Sequence, residues 1–265
     1  MKLPRRTPRV RTSTDEATLT QHLGELRFRI IRSILAVAIG ALLVLAFYDP
    51  VLRFLTEPYR SICMARPDFK CDGSLYGLGP LDGINARMRI SSYGGIALAL
   101  PVIMWQIWRF TAPALHKNER KYAASFIASS AALFALGGYI AFWTLDKALE
   151  FLITWSGDNV SQSYQITKYV NLVVFMVLAF GIGFLFPVLL VFLQLTNVIK
   201  PRQLIQQWRW AIMIVFVTAA VITPSGDPIS LLALALPMTA LFFISVLIGY
   251  FIFWRRNRVT VRSNG

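Results

Sequence analysis

Six long runs of uncharged, mostly apolar residues decide what this chain can become: 30–48, 90–108, 122–145, 169–199, 210–226 and 228–254, broken only by Arg32 near the start of the first. A helix needs about 20 such residues to cross a hydrocarbon core of roughly 30 Å. Inside lipid the backbone must satisfy its own hydrogen bonds, so runs of this length become helices. The chain is 56% hydrophobic and 15% charged, too apolar for a soluble domain. The expected fold class is an all-α membrane protein with six transmembrane helices.

Charge sets the orientation. With the N-terminus inside, 19 of the 27 Lys and Arg residues fall on the cytoplasmic side and 8 outside, so both termini are cytoplasmic. This divides the chain into a basic tail (1–17), a six-helix membrane domain (18–254) and a second basic tail (255–265). Arg5-Arg6 precede the first run by about 25 residues and no Ala-x-Ala site follows, so the segment through about Thr12 reads as a disordered tail rather than a signal peptide. The basic residues cluster beside apolar runs, which points to membrane topology and anionic lipid, not nucleic acid.

Chemistry is sparse. Two histidines, two cysteines, no Gly-Lys-Ser/Thr phosphate loop and no metal-ligand spacing argue against an enzyme and against any cofactor or metal. The longest outer loop, 49–89, contains Pro50, Pro58, Pro67 and Pro80 and is expected to form a cap of short pieces. Cys63 and Cys71 lie in it on the oxidising side, with spacing that permits a local disulfide. Pro101 and Pro187 are expected to kink the second and fourth helices, or to be tolerated there. Gly137-Gly138 and Gly181-x-Gly183 read as close-packing points. The fifth run gives about 25 Å of helix and looks short for the membrane.

The inner face holds only four acids: Asp15, Glu16, Glu25 and Glu119. Ser13-Thr14 followed by Asp15-Glu16 is the pattern of a helix start. Leu19, Leu23, Leu26 and Ile30 then repeat at helical spacing, giving an amphipathic helix near the membrane surface before the first span. His22, Glu25 and Arg29 share its other face. Glu25 can pair with Arg29 one turn on, and Glu119 can follow an Asn118 cap. Alternatively the two carboxylates form a receptor for guanidinium groups, whose planar fork matches carboxylate geometry as lysine does not.

Thr20-Gln21-His22-Leu23-Gly24-Glu25-Leu26-Arg27-Phe28-Arg29 resembles the His-Leu-x-Glu-Leu-Arg-x-Arg signature of the TatC family, the receptor subunit of the twin-arginine protein translocase. Residues 101–115, the Glu119-Arg120 pair, Phe180-Gly181-Ile182-Gly183-Phe184 with Phe186-Pro187, and Thr223-Pro224 with Asp227 resemble the same family in order. The resemblance implies a concave, glove-like bundle in a bacterial inner membrane that binds twin-arginine signal peptides of folded cargo. It places recognition on Glu25 and Glu119, with Arg27 and Phe110 in the same site. Pro58 and Asp227 match family residues of the outer loops. Implied partners are the single-span TatA and TatB proteins and further copies of the chain, with the proton-motive force driving transport.

One departure stands out. The family usually has a glutamate in the fourth helix between the residues that are Phe184 and Phe186 here, and this chain has Leu185. Gln194, nine residues on, lies about half a turn from that face and does not replace it. Docking of a polar partner residue at this position is expected to be weakened or to use another site. The alternative to a translocase component is a secondary transporter of a small solute, which normally needs ionisable or unwound elements near the midplane. Gln106, Asn171, Gln194 and Asn197 are the uncharged polar residues available for that.

Overall fold

The computed structural model describes residues 14–65, 73–111, 123–156, 164–195, 198–223 and 227–263. Its elements are α1 (Thr14–Ala46), α2 (Tyr48–Ala65), β1 (Leu75–Tyr76), α3 (Asp82–Thr111), α4 (Ala123–Ser156), β2 (Tyr164–Gln165), α5 (Ile166–Gly183), α6 (Phe186–Leu195), α7 (Pro201–Gln206), α8 (Trp208–Ile222) and α9 (Pro228–Ser263). Five stretches are long and apolar enough to cross a membrane: one each within α1, α3, α4 and α9, and α5 with α6 as one. The sixth crossing is α8, whose 15 residues span about 22 Å, well short of the hydrocarbon core.

Two elements differ from the sequence expectation, each for a local reason. The amphipathic entry segment is not a separate surface helix. Its leucine stripe runs in phase into Ile30 with no proline between, so α1 is one continuous helix of 33 residues. The first outer loop does not begin as short pieces: α2 runs through Pro50 and Pro58, while Pro80 stands in the turn before α3 and Pro67 lies outside the described residues. Pro50 falls in the first turn of α2, where a missing N–H costs nothing, and Pro58 is buried on the same face as Tyr48, Leu55, Tyr59 and Cys63. Burial of that stripe offsets the one hydrogen bond Pro58 removes.

The fourth span is interrupted. Pro187 cannot donate to the Gly183 carbonyl, and the helix tightens at Phe184–Leu185, where the Leu185 N–H donates to Ile182 O at 3.0 Å. In contrast, α3 runs through Pro101 as an unbroken helical segment.

Helix packing centres on close approaches at glycine. A Cβ on Gly95 would lie 2.6 Å from the Ala41 nitrogen and 2.8 Å from its Cα, and one on Gly40 would lie 2.8 Å from Gly95 O. Antiparallel α1 and α3 therefore touch backbone to backbone. Gly137 meets Gly181 and the Phe180 carbonyl in the same way, joining α4 to α5.

At the outer end, the chain closes on itself. The short parallel strands pair Leu75 with Tyr164 and Tyr76 with Gln165. The Asp82 Oδ2 accepts from the N–H groups of Leu78 (2.8 Å) and Gly79 (2.9 Å) and from Gln165 Nε2 (2.8 Å), tying the start of α3 to β2. Fully buried Tyr59 sits edge-on to Tyr164 at 5.3 Å and tilted against Tyr169 at 5.7 Å. The Tyr169 hydroxyl donates to Leu55 O at 3.0 Å. Burial in this cluster pushes the Tyr164 phenol above its ordinary pKa.

Candidate functional site

The crossing of α1 and α3 fixes what lies at their inner ends. Eleven residues before Gly40 on α1 is Arg29, and eleven after Gly95 on α3 is Gln106. That is about three turns along each antiparallel helix, so the two residues arrive at the same level. The Arg29 Nη1 reaches the Gln106 carbonyl at 3.4 Å, and its Nη2 donates to Glu25 Oε1 in a close ion pair. The Arg29 side chain is 9% exposed, whereas that of Glu25 is 46% exposed. A guanidinium at the helix surface is thus turned inward, and the carboxylate it meets stays open to the cytoplasmic side.

Phe110, one turn beyond Gln106 on α3, is half-buried at the same end. Arg27 is exposed on α1. Two residues from Glu25, it projects about 200° round the helix and does not join the Glu25–Arg29 pair. Glu119 lies outside the described residues. Of the four recognition residues, Glu25 and Phe110 are brought to one helix pair. Arg29 and Gln106 complete that pair; sequence reasoning had treated the first only as a pairing partner and the second only as a stray amide. What would have linked them is the α1–α3 register, which Gly40 and Gly94-Gly95 set.

Polar accounting at this end is incomplete. The Arg29 Nε and the Gln106 Oε1 are both buried, and neither has a hydrogen-bond partner among the described residues. One is a donor and the other an acceptor, carried by residues already in contact.

The remaining candidates sit elsewhere. Leu185 occupies the α5–α6 break, half-buried against the cluster of Leu100, Phe134 and Leu178. Gln194 is 8% exposed, and its Nε2 donates to Leu190 O (3.3 Å) and to Ser245 O (3.2 Å) on α9. Its Oε1 lies where a side chain on Gly249 would begin, so the amide is used to fasten α6 to α9. No group in this arrangement resembles a coupling site for a transported ion.

At the outer end, Pro58 is buried in α2 and its carbonyl accepts from the Ser61 hydroxyl at 2.9 Å. Asp227 is 2% exposed and caps α9, its Oδ2 accepting from the Ser230 N–H at 2.6 Å. Cys63 is disulfide-bonded, and Cys71 lies outside the described residues. Among the described residues, no group of three or more His, Cys, Asp or Glu residues could hold a metal.

Comparison with known proteins agrees over most of the chain. The family described as Sec-independent protein translocase protein (TatC) matches residues 21–237. The TatC protein of Frankia casuarinae is 35% identical over 261 residues, covering 96% of this chain and 70% of that protein. The TatC protein of Carboxydothermus hydrogenoformans is 34% identical, covering 89% of this chain and 93% of its own. Two crystal structures of a twin arginine translocase receptor, TatC, align with TM-scores of 0.71 and 0.73 at 33% and 34% identity. They cover 87% and 86% of this chain, and 98% and 99% of their own.

Proposed function

Because this chain belongs to the TatC family, a multi-pass inner-membrane component of the Sec-independent translocase and not an enzyme, we propose that it is the receptor for twin-arginine signal peptides. The observation that carries this reading is that Glu25 already holds a guanidinium, that of Arg29, in a half-exposed setting at the inner end. A carboxylate that already pairs with one guanidinium nitrogen from its own helix offers the same chemistry to an arginine of a peptide. Charge complementarity adds discrimination, because the basic inner face repels cationic peptides that lack a matched carboxylate.

Glu119, Arg27 and Phe110 complete the proposed site. An aromatic ring such as Phe110 offers a flat apolar surface to the segment flanking the arginines or to a guanidinium face. TatA and TatB are the proposed partners, with the proton-motive force as driver, and Leu185 weakens docking of a polar partner residue at the α5–α6 break. Pro58 and Asp227 shape the outer end that such partners would meet.

The test is binding of a twin-arginine peptide to the purified protein, beside a twin-lysine peptide and the Glu25→Ala and Glu119→Ala variants. The expected result is strong preference for arginine and loss of binding in both variants. Equal binding in all cases would sink the receptor reading.

A further inference from the structure

Resting on that reading, we infer that Arg29 is an internal competitor for the signal peptide and that the Gln106 side chain is the seat it takes when the peptide arrives. Three observations lead there. Arg29 occupies the receptor carboxylate with its Nη2, so a peptide arginine reaching Glu25 must displace it or share the oxygens. Two guanidinium groups on one half-exposed carboxylate repel each other, and the buried one has the fewer water contacts to screen it.

Arg29 is also held loosely on its other side. Its Nη1 contact to the Gln106 carbonyl is long, at 3.4 Å, and its Nε–H is unpartnered. A guanidinium offers five donors and is costly to bury with donors idle.

The third observation is the complementary orphan. The Gln106 Oε1 is a buried acceptor without a donor, on the residue whose carbonyl Arg29 already touches. Rotation of the Gln106 side chain between staggered positions and a small shift of the guanidinium would join Nε–H to Oε1. The amide is uncharged, so it accepts Arg29 without attracting the peptide's arginine away from Glu25.

The exchange has a consequence for affinity. Arg29 meets the carboxylate through Nη2 alone, so a peptide arginine that engages both oxygens gains a second bond that Arg29 does not make. Competition by Arg29 lowers the apparent affinity of every peptide by the same factor and leaves the arginine-over-lysine ratio to Glu25 itself.

The test uses the full-length protein in detergent and fluorescent twin-arginine and twin-lysine peptides. Arg29→Gln is expected to tighten twin-arginine and twin-lysine binding alike, by about tenfold, the scale of one charge-assisted hydrogen bond, with the arginine-over-lysine ratio unchanged. Gln106→Leu is expected to weaken binding in the parent chain and to have no effect in the Arg29→Gln background. Weaker or unchanged binding in Arg29→Gln, or equal effects of Gln106→Leu in both backgrounds, would overturn the inference and make Arg29 a support for Glu25. If Arg29→Gln does not fold, Arg29→Lys decides by the same sign, since it retains charge but loses the fork. Parent-like binding by Glu25→Ala would instead overturn the receptor reading itself.

Discussion

The two ends of this bundle hold their charged groups in different ways. At the outer end Asp82 takes three hydrogen bonds and the Tyr169 hydroxyl donates to a carbonyl, while the aromatic rings of Tyr59, Tyr164 and Tyr169 fill the space between α2 and α5. At the inner end a half-exposed carboxylate meets a buried guanidinium. Both ends leave buried polar atoms unpaired among the described residues, Asp146 Oδ1 and Ser230 Oγ at the outer one and Arg29 Nε and Gln106 Oε1 at the inner. Only the inner two are a donor and an acceptor on residues already in contact, so a small rearrangement there can satisfy both.

The sharpest way to break this comparison is to damage the outer end and read the inner one. Tyr59→Ala removes a fully buried ring from the centre of the cap and is expected to cost about 3–5 kcal/mol. Thermal unfolding in detergent measures the loss. Signal-peptide affinity below the transition should be unchanged, and a parallel fall in affinity would show that the two ends are not independent.

Between them lies the apolar setting of Leu185. Leu185→Glu places a carboxylate beside Leu100, Phe134 and Leu178, at an expected cost of about 3 kcal/mol, the insertion-scale penalty for an acid within a membrane helix. It also restores the polar group that the resemblance leads one to expect. Reduced thermal stability with improved cargo export would show that a partner uses this position. Reduced stability with unchanged export would show that the carboxylate is dispensable here.

The membrane crossings were legible because charge spacing alone marks them, even the short α8. What was hidden depended on contacts between distant segments. Pro58 reads as a helix breaker until the buried stripe of Tyr48, Leu55, Tyr59 and Cys63 is seen to carry α2 through it. Gly137 and Gly181 could be picked out as packing points, and Gly94-Gly95 carries the same paired signature, yet its partner Gly40 could not, because a lone glycine in an apolar run has no signature. Glu25 was legible as a rare acid on a basic face, whereas its link to Gln106 required the α1–α3 register.

A smaller effect tests the outer end at one helix cap. Asp227→Ala removes the acceptor for the Ser230 N–H at the start of α9 and is expected to cost about 1 kcal/mol. Asp227→Asn, which keeps an acceptor at the cap, should recover most of it in the same unfolding measurement. No recovery would mean that the charge of Asp227, and not its capping geometry, is what the outer end needs.

The smallest expected stability change is at the inner end, and it separates two views of Arg29. Glu25→Gln removes the charge partner of a buried guanidinium. If Arg29 depended on that partner, the variant would lose on the order of 1.5 kcal/mol, the scale of a hydrogen bond to a charged group. If the Gln106 amide can receive Arg29, the loss falls to about 0.5 kcal/mol, close to that of an ordinary i, i+4 pair. Combining Glu25→Gln with Gln106→Leu removes both the charge partner and the second side-chain acceptor, and the double variant should then fall well below the sum of the singles. Additive losses would show that Arg29 has no second seat.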